Sequence, residues 1–330
     1  MTEHPEEREV NTEEPVKNEA SGLGWLFFIA MALHVLQALA FSLLVQKGIE
    51  PPVEIQLVSS ELSILIPAII YVLIKKLGFR EDLGFCRIKT GTFFMCILLT
   101  LLIMPIAAFF NVLSQLFVSN TMVQMSDELL SGSDIAVLFI GGIFGPVCEE
   151  FLCRSLFFKR YETIAGPLRA GFISAVLFAL AHMNINQACY AFALGVIFCI
   201  INKAAGSVYP SVIIHSLINI LNIGMIMIAV MTSKAMGDDI DIAAAAESAR
   251  GTDYMYFLVG VTLVMAIVCA VIAIPCTVFI AKHEGQLDQL KDMFTKKHEK
   301  GRWLSASLII GVCFVLFIMF GLEPVLNLFT

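Results

Sequence analysis

The hydrophobic pattern of the chain is a series of long apolar runs separated by short polar segments. A helix needs about 20 apolar residues to cross a hydrocarbon core of about 30 Å. Runs that meet this length lie at about 23–46, 56–74, 92–118, 134–158, 207–231, 254–281 and 304–328. The pattern therefore predicts an all-α protein, a polytopic transmembrane helix bundle.

A further apolar stretch, 170–202, is interrupted by the polar residues 184–187. We predict two short helices joined by a tight turn, which gives about 8–9 spans if the hairpin crosses the membrane and seven if it is re-entrant. No repeat and no second hydrophilic domain interrupts the series. Residues 23–330 are therefore predicted to form one transmembrane bundle, with a functional core at about 134–231.

Composition narrows the classes of protein that the chain can be. Hydrophobic residues make up 58% of it, charged residues 15%, and the mean hydropathy is +0.85. Soluble domains carry about 25% charged residues. These values exclude a soluble enzyme, a disordered chain and a nucleic-acid-binding protein, and they leave the lipid bilayer as the expected environment.

The polar ends of the runs predict the orientation. Residues 1–22 are rich in glutamate and are predicted to be a disordered, acidic, cytoplasmic tail. Most of the 21 Lys and Arg residues fall in segments that share a side of the membrane with this tail. Because cytoplasmic loops carry an excess of basic residues, we predict an integral protein of the plasma (cytoplasmic) membrane with its N-terminus inside.

The fourth run contains ionisable residues that lipid does not tolerate without a partner. Glu149, Glu150 and Arg154 lie together in it, and a charged side chain at this depth costs roughly 2.5–3.5 kcal/mol on insertion scales. Glu150 and Arg154 are four residues apart and are predicted to pair on one helix face. Glu149 is turned about 100° away from that face, so it is predicted to remain free for chemistry.

Two later runs carry polar residues within pairs at helical spacing: His182, four residues after Phe178, and His215 with Asn219. A rise of ~1.5 Å per residue places Glu149, His182 and His215 about 15–20 Å from the basic residues that mark the cytoplasmic ends of their helices. Three helices thus bring these side chains to one level near the bilayer midplane. This coincidence predicts a functional site.

Other polar residues in the first two runs are given structural interpretations. His34 and Gln37 are predicted to form hydrogen bonds between helices. Glu54 and Glu61 are predicted to be rim or packing residues near the outer interface.

The predicted set of side chains suits hydrolysis of an acyl bond. A carboxylate can take a proton from water as a general base, and imidazole or amide N–H groups can stabilise a developing oxyanion. The zinc-protease motif His-Glu-x-x-His is absent, since His283-Glu284 is followed by Gly285, Gln286 and Leu287.

Three motifs carry a resemblance to a known family. They are Glu149–Arg154 (Glu-Glu-x-x-x-Arg), Phe178–His182 (Phe-x-x-x-His) and His215–Asn219 (His-x-x-x-Asn). At these residues the chain resembles the CPBP family, the CAAX-protease and bacteriocin-processing intramembrane peptidases, also called ABI proteins. The resemblance covers about 143–222. Cys153 and Ser155 depart from the family pattern, which often has an aromatic residue before the motif Arg and Gly after it.

The resemblance implies an intramembrane endopeptidase that acts on a membrane-associated or lipidated peptide or protein. It implies that Glu149, helped by His215, activates water, and that His182 and Asn219 hold the oxyanion. Supporting roles are implied for Glu150, Arg154 and Phe178.

Three alternatives stay open at this stage. A zinc ion could be held by Glu149, His182 and His215, but Asn219 is a poor zinc ligand and a good oxyanion donor, so the chemistry without a cofactor is favoured. A non-catalytic bacteriocin-immunity or membrane scaffold protein of the same family would keep the motifs for packing. A transporter is disfavoured because no repeat is visible.

Overall fold

The structure is a computed structural model that describes residues 13–124, 132–235, 247–248, 250, 252–296 and 303–322. The described residues are predominantly helical, and none of them forms a strand. The predicted fold class, a polytopic helical bundle, is confirmed.

We label ten of the helices in chain order. They are α1 (Glu13–Gln46), α2 (Val53–Lys75), α3 (Thr90–Ser114), α4 (Asp134–Ala165), α5 (Pro167–Ala181), α6 (Ile185–Ala205), α7 (Tyr209–Ala235), α8 (Asp253–Glu284), α9 (Leu287–Thr295) and α10 (Ala306–Phe317). Within the described chain, seven helices are long and apolar enough to cross a membrane: α1 to α4 and α6 to α8. Helices α5 and α10 are apolar but shorter.

The N-terminal end of the bundle differs from the prediction, and the last residues of both ends lie outside the described ranges. Residues 1–12 of the predicted tail are not among the described residues, but helix α1 already begins at Glu13 rather than near residue 23. The early start has a physical reason, because Glu19 lies 3.3 Å from Lys75 Nζ and 2.8 Å from Arg160 Nε. The last predicted span reaches 328, and residues after 322 are not described.

Helices α5 and α6 form the tight hairpin that the polar turn predicts. Met183 has a positive φ of 53°, a left-handed conformation that stops α5 at His182. Asn184 then caps α6, because its side-chain oxygen accepts a hydrogen bond from the N–H of Gln187 at 2.8 Å. The turn therefore fixes the end of α5, where His182 lies.

Helix α4 departs from regular α geometry in two places. Ile140–Phe144 and Phe151–Phe158 are π-helical. In each segment a backbone carbonyl accepts a hydrogen bond from a neighbouring helix: Asn219 donates to Gly141 O at 3.1 Å, and Ser174 donates to Cys153 O at 2.7 Å. Single π turns inside helices are frequent at functional sites, and these two flank Glu149 and Glu150.

The packing places α6 at the centre of the bundle. It contacts α3, α5, α7 and α8, while α1 packs against α2 and α10. The outward faces remain apolar, as Phe257, Val264 and Ile274 on α8 are each at least 60% exposed. Such large exposed apolar surface is expected of helices that face lipid.

Close backbone approach holds the hairpin together. A Cβ atom at Gly195 of α6 would lie 2.8 Å from the Cα of Ala175 on α5. We expect Gly195→Ala to destabilise the protein by about 1–3 kcal/mol, because backbone atoms cannot move aside. The matched control is Gly224→Ala on α7, where no atom lies within 4 Å. Thermal unfolding of the detergent-solubilised protein measures both, and equal unfolding temperatures would contradict the expectation.

Candidate active site

A buried ion pair lies at the centre of the site. Arg154 Nη1 is 3.0 Å from Glu150 Oε1, and both side chains are 0% exposed. The guanidinium group also lies over two aromatic rings, 4.0 Å from the centroid of Phe178 and 5.1 Å from that of Phe198. Cation–π contacts of this kind are strongest where water is excluded. The predicted pairing of Glu150 with Arg154 is present in the structure.

His215 connects this ion pair to the second glutamate. Its Nδ1 lies 3.0 Å from Glu150 Oε1, and its Nε2 lies 3.4 Å from Glu149 Oε2. Since Glu150 is paired with Arg154, its carboxylate accepts and Nδ1 carries the proton. In a neutral imidazole, Nε2 would then be an acceptor that faces the carboxylate of Glu149. Two acceptors would then face each other. Either an additional proton lies between His215 and Glu149, or both groups accept hydrogen bonds from one bound molecule, such as water.

Exposure distinguishes the two glutamates. The side chain of Glu149 is 21% exposed, whereas that of Glu150 is fully buried. Glu149 is therefore the accessible one of the two carboxyl groups, and Glu150 is enclosed by protein. The geometry thus favours Glu149 as the acid–base group and Glu150 as the anchor that orients His215.

His182 lies next to this group at the end of α5. Its Nδ1 donates to the carbonyl oxygen of Phe178 at 2.9 Å, which fixes the ring and its tautomer. The Phe178 ring meets both imidazoles edge-on, with centroids 5.0 Å from His182 and 5.6 Å from His215. Phe178 is thus a spacer between the two histidines as well as a partner of Arg154.

Asn219 follows His215 by one turn of α7. Its Nδ2 donates to Gly141 O in the first π segment of α4, so one of its two N–H bonds is used structurally and the other is available. The start of α7 is fixed by Asn202, whose side chain accepts from Ser211 N at 3.0 Å and donates to Ser211 Oγ at 2.7 Å. These contacts set the positions of His215 and Asn219.

Two residues of α1 and α2 also belong to the surroundings of this site. His34 interacts electrostatically with Glu149 and His182, and Glu61 interacts electrostatically with Glu149. The predicted hydrogen bond between helices at His34 is present: its Nδ1 lies 3.3 Å from the Oγ atoms of Ser60 and Ser63 on α2. Of the two roles predicted for Glu61, rim or packing residue, its contact with α4 at Gly145 agrees with packing. The partner helix could not be predicted, because a sequence does not show which helices are neighbours.

Within the part of the chain that the structure describes, no three His, Cys, Asp or Glu side chains converge as a metal ion requires. Nδ1 of His215 faces Glu150, and Nδ1 of His182 faces Phe178 O, so Nε2 is the remaining nitrogen of each ring.

Residues 131–221 match a family model described as type II CAAX prenyl endopeptidase Rce1-like. This segment is similar to the CAAX prenyl endopeptidases. The resemblance predicted from the sequence is confirmed there, and the CAAX endopeptidase-like segment contains all seven residues that the motifs singled out: Glu149, Glu150, Arg154, Phe178, His182, His215 and Asn219. The match indicates a membrane protease. No curated protein and no solved structure gave a significant match to the chain.

The buried ion pair generates a stability prediction. We expect Arg154→Met to lower the free energy of unfolding by about 3–5 kcal/mol, because Glu150 would be left as a buried charge without its cation. The double variant Glu150→Gln, Arg154→Met is expected to be more stable than Arg154→Met alone. Denaturant titration in detergent measures both.

The control for this prediction is Lys291→Met, which removes an exposed partner 3.8 Å from Asp288 and is expected to leave stability unchanged. A double variant less stable than the single variant would contradict the assignment of the pair.

Proposed function

We propose that this protein is an intramembrane endopeptidase that hydrolyses a peptide bond of a membrane-associated or lipidated peptide or protein. The observation that carries the proposal is the contact of His215 with both glutamates, one buried and one accessible. The similarity of residues 131–221 to CAAX prenyl endopeptidases supports it.

In the proposed reaction, Glu149 takes a proton from a water molecule whose second hydrogen is donated to Nε2 of His215. The hydroxide adds to the carbonyl carbon of the peptide bond, the C–N bond breaks, and the proton passes from Glu149 to the leaving amine. Glu150 and Arg154 keep the Nδ1 proton of His215 in place and hold its ring. General-base catalysis of this kind contributes about 10²–10⁴-fold to a rate.

His182 and Asn219 are the proposed oxyanion donors. Asn219 has one N–H left after its bond to Gly141 O, so it can donate in the neutral state. The Nδ1 proton of His182 is committed to Phe178 O, so His182 can donate from Nε2 only as an imidazolium. A cationic donor forms a stronger hydrogen bond to an oxyanion than a neutral donor does.

The proposal is tested with a quenched fluorescent peptide that carries a farnesylated CAAX sequence, and with the same peptide lacking the farnesyl group. We expect Glu149→Gln to slow cleavage by at least about 100-fold, because the variant cannot accept a proton. Glu81→Gln is the control: Glu81 is an exposed carboxylate in the segment between α2 and α3, and this variant is expected to cleave at the wild-type rate. A metal chelator in the assay is expected to leave the rate unchanged.

If neither peptide is cleaved, membranes of cells that carry wild type or Glu149→Gln are compared by proteomics. Peptides that accumulate only with the variant would support the protease and identify another substrate. Identical membranes together with an intact cellular phenotype of Glu149→Gln would overturn the protease and favour a non-catalytic immunity or scaffold protein.

We also propose that the N-terminus lies in the cytoplasm, as the distribution of basic residues predicts. A protease added to sealed, right-side-out vesicles is then expected to spare an N-terminal epitope tag and to remove it only after the membrane is opened. Removal from sealed vesicles would contradict this orientation.

A further inference from the structure

Helices α1 and α2 place polar side chains beside the catalytic glutamate, outside the CAAX endopeptidase-like segment. Glu61 on α2 lies against α4 at Gly145, where a Cβ atom would be only 3.0 Å from Glu61 Oε1. Glu149 follows Gly145 by one helical turn. Because side chains on a helix lean toward its N-terminus, the Glu149 side chain lies over the turn that Glu61 contacts.

The side chain of Glu61 is partly buried and has no charged partner among the described ion pairs. Its Oε2 is buried and accepts no hydrogen bond from the described residues, so it lacks the donors that a buried carboxylate needs. The described ion pairs include none with Glu61, and the buried cation Arg154 is paired with Glu150. An ionised carboxylate in this position would be strongly destabilised, because its charge would be buried without compensation.

None of the described titratable groups around Glu61 carries a permanent positive charge. On α4 these are Glu149 and Cys148. His34 on α1 contacts Ser60 and Ser63 of α2 and interacts with Glu149 and His182. Two carboxyl groups that lie side by side favour a state in which only one of them is ionised. Since Glu149 is the more accessible and contacts His215, Glu61 is the one expected to keep its proton.

We propose that Glu61 is a positioning residue of this site, a neutral carboxylic acid that donates a hydrogen bond to Glu149. The inference rests on the proposed function, because positioning Glu149 affects a rate only if Glu149 is catalytic. Glu149 would then be held from two sides, by His215 on α7 and by Glu61 on α2. The lack of a side chain at Gly145 leaves the space that this contact needs.

The protonation of Glu61 is tested without a substrate. Infrared spectroscopy of wild type in lipid is expected to show the carbonyl band of a protonated carboxyl group at neutral pH. The band should be lost in Glu61→Gln and kept in Glu54→Gln, a carboxylate on the same helix that accepts a hydrogen bond from Ser133 N at 2.6 Å. A band that persists in Glu61→Gln, or that is absent from wild type, would overturn the proposal even if the protein proves to be a protease.

The positioning role is tested by kinetics on whichever peptide the protein cleaves. We expect Glu61→Ala to lower kcat about 10- to 100-fold with little change in KM, because a misplaced catalytic group loses rate rather than substrate binding. The acidic limb of its pH–rate profile should move to higher pH, since ionised Glu149 loses a hydrogen-bond donor. Glu61→Gln keeps an N–H donor and is expected to retain most of the activity and the wild-type profile.

Two outcomes of the kinetic series would overturn the role. Glu61→Ala with wild-type kcat and pH profile would show that the contact is not used. Glu61→Gln as slow as Glu61→Ala would show that Glu61 transfers a proton rather than positions Glu149. Thermal unfolding of each variant, with Glu54→Ala as the matched control, separates these effects from misfolding.

Discussion

The arrangement of the site depends on one constraint, the neutralisation of Arg154 in an interior without water. A guanidinium group that is 0% exposed must meet a carboxylate, and Glu150 on the same helix supplies it at 3.0 Å. The same carboxylate oxygen accepts from His215 Nδ1. The ion pair therefore fixes the tautomer of His215 and directs Nε2 to Glu149, which is the more accessible of the two glutamates.

The neighbouring helices supply hydrogen-bond donors to the irregular backbone of α4. The π segments of α4 leave carbonyl groups that Asn219 and Ser174 use as acceptors. Phe178 contacts Arg154 and both imidazoles, so one ring links the ion pair to His182. A substitution that moves α5 or α7 would disturb charge neutralisation and proton placement together, because both depend on the same few contacts.

Much of the site could be predicted from the chain because lipid penalises unpaired polar groups. Few ionisable residues fall within the apolar runs, and the spacing of Glu150 and Arg154 alone predicts their pairing. The common level of Glu149, His182 and His215 follows from helix rise and the basic residues that mark helix ends. The double role of Asn219, which is bound to Gly141 O, could not be predicted, because a regular α-helix has no free carbonyl there.

The sequence by itself determined the fold class, the hairpin at 184–187 and the residues of the three motifs, since apolar length and helical spacing are local properties. Only the tertiary structure decided that α1 begins at Glu13, that α4 contains π segments and that Glu61 lies beside Glu149. Each of these depends on contacts between helices distant in sequence: Glu19 with Lys75 and Arg160, Asn219 with Gly141, and Glu61 with the turn at Gly145. The physical reason is that hydropathy fixes which segments enter the membrane, whereas packing and the pairing of buried charges fix which helices become neighbours.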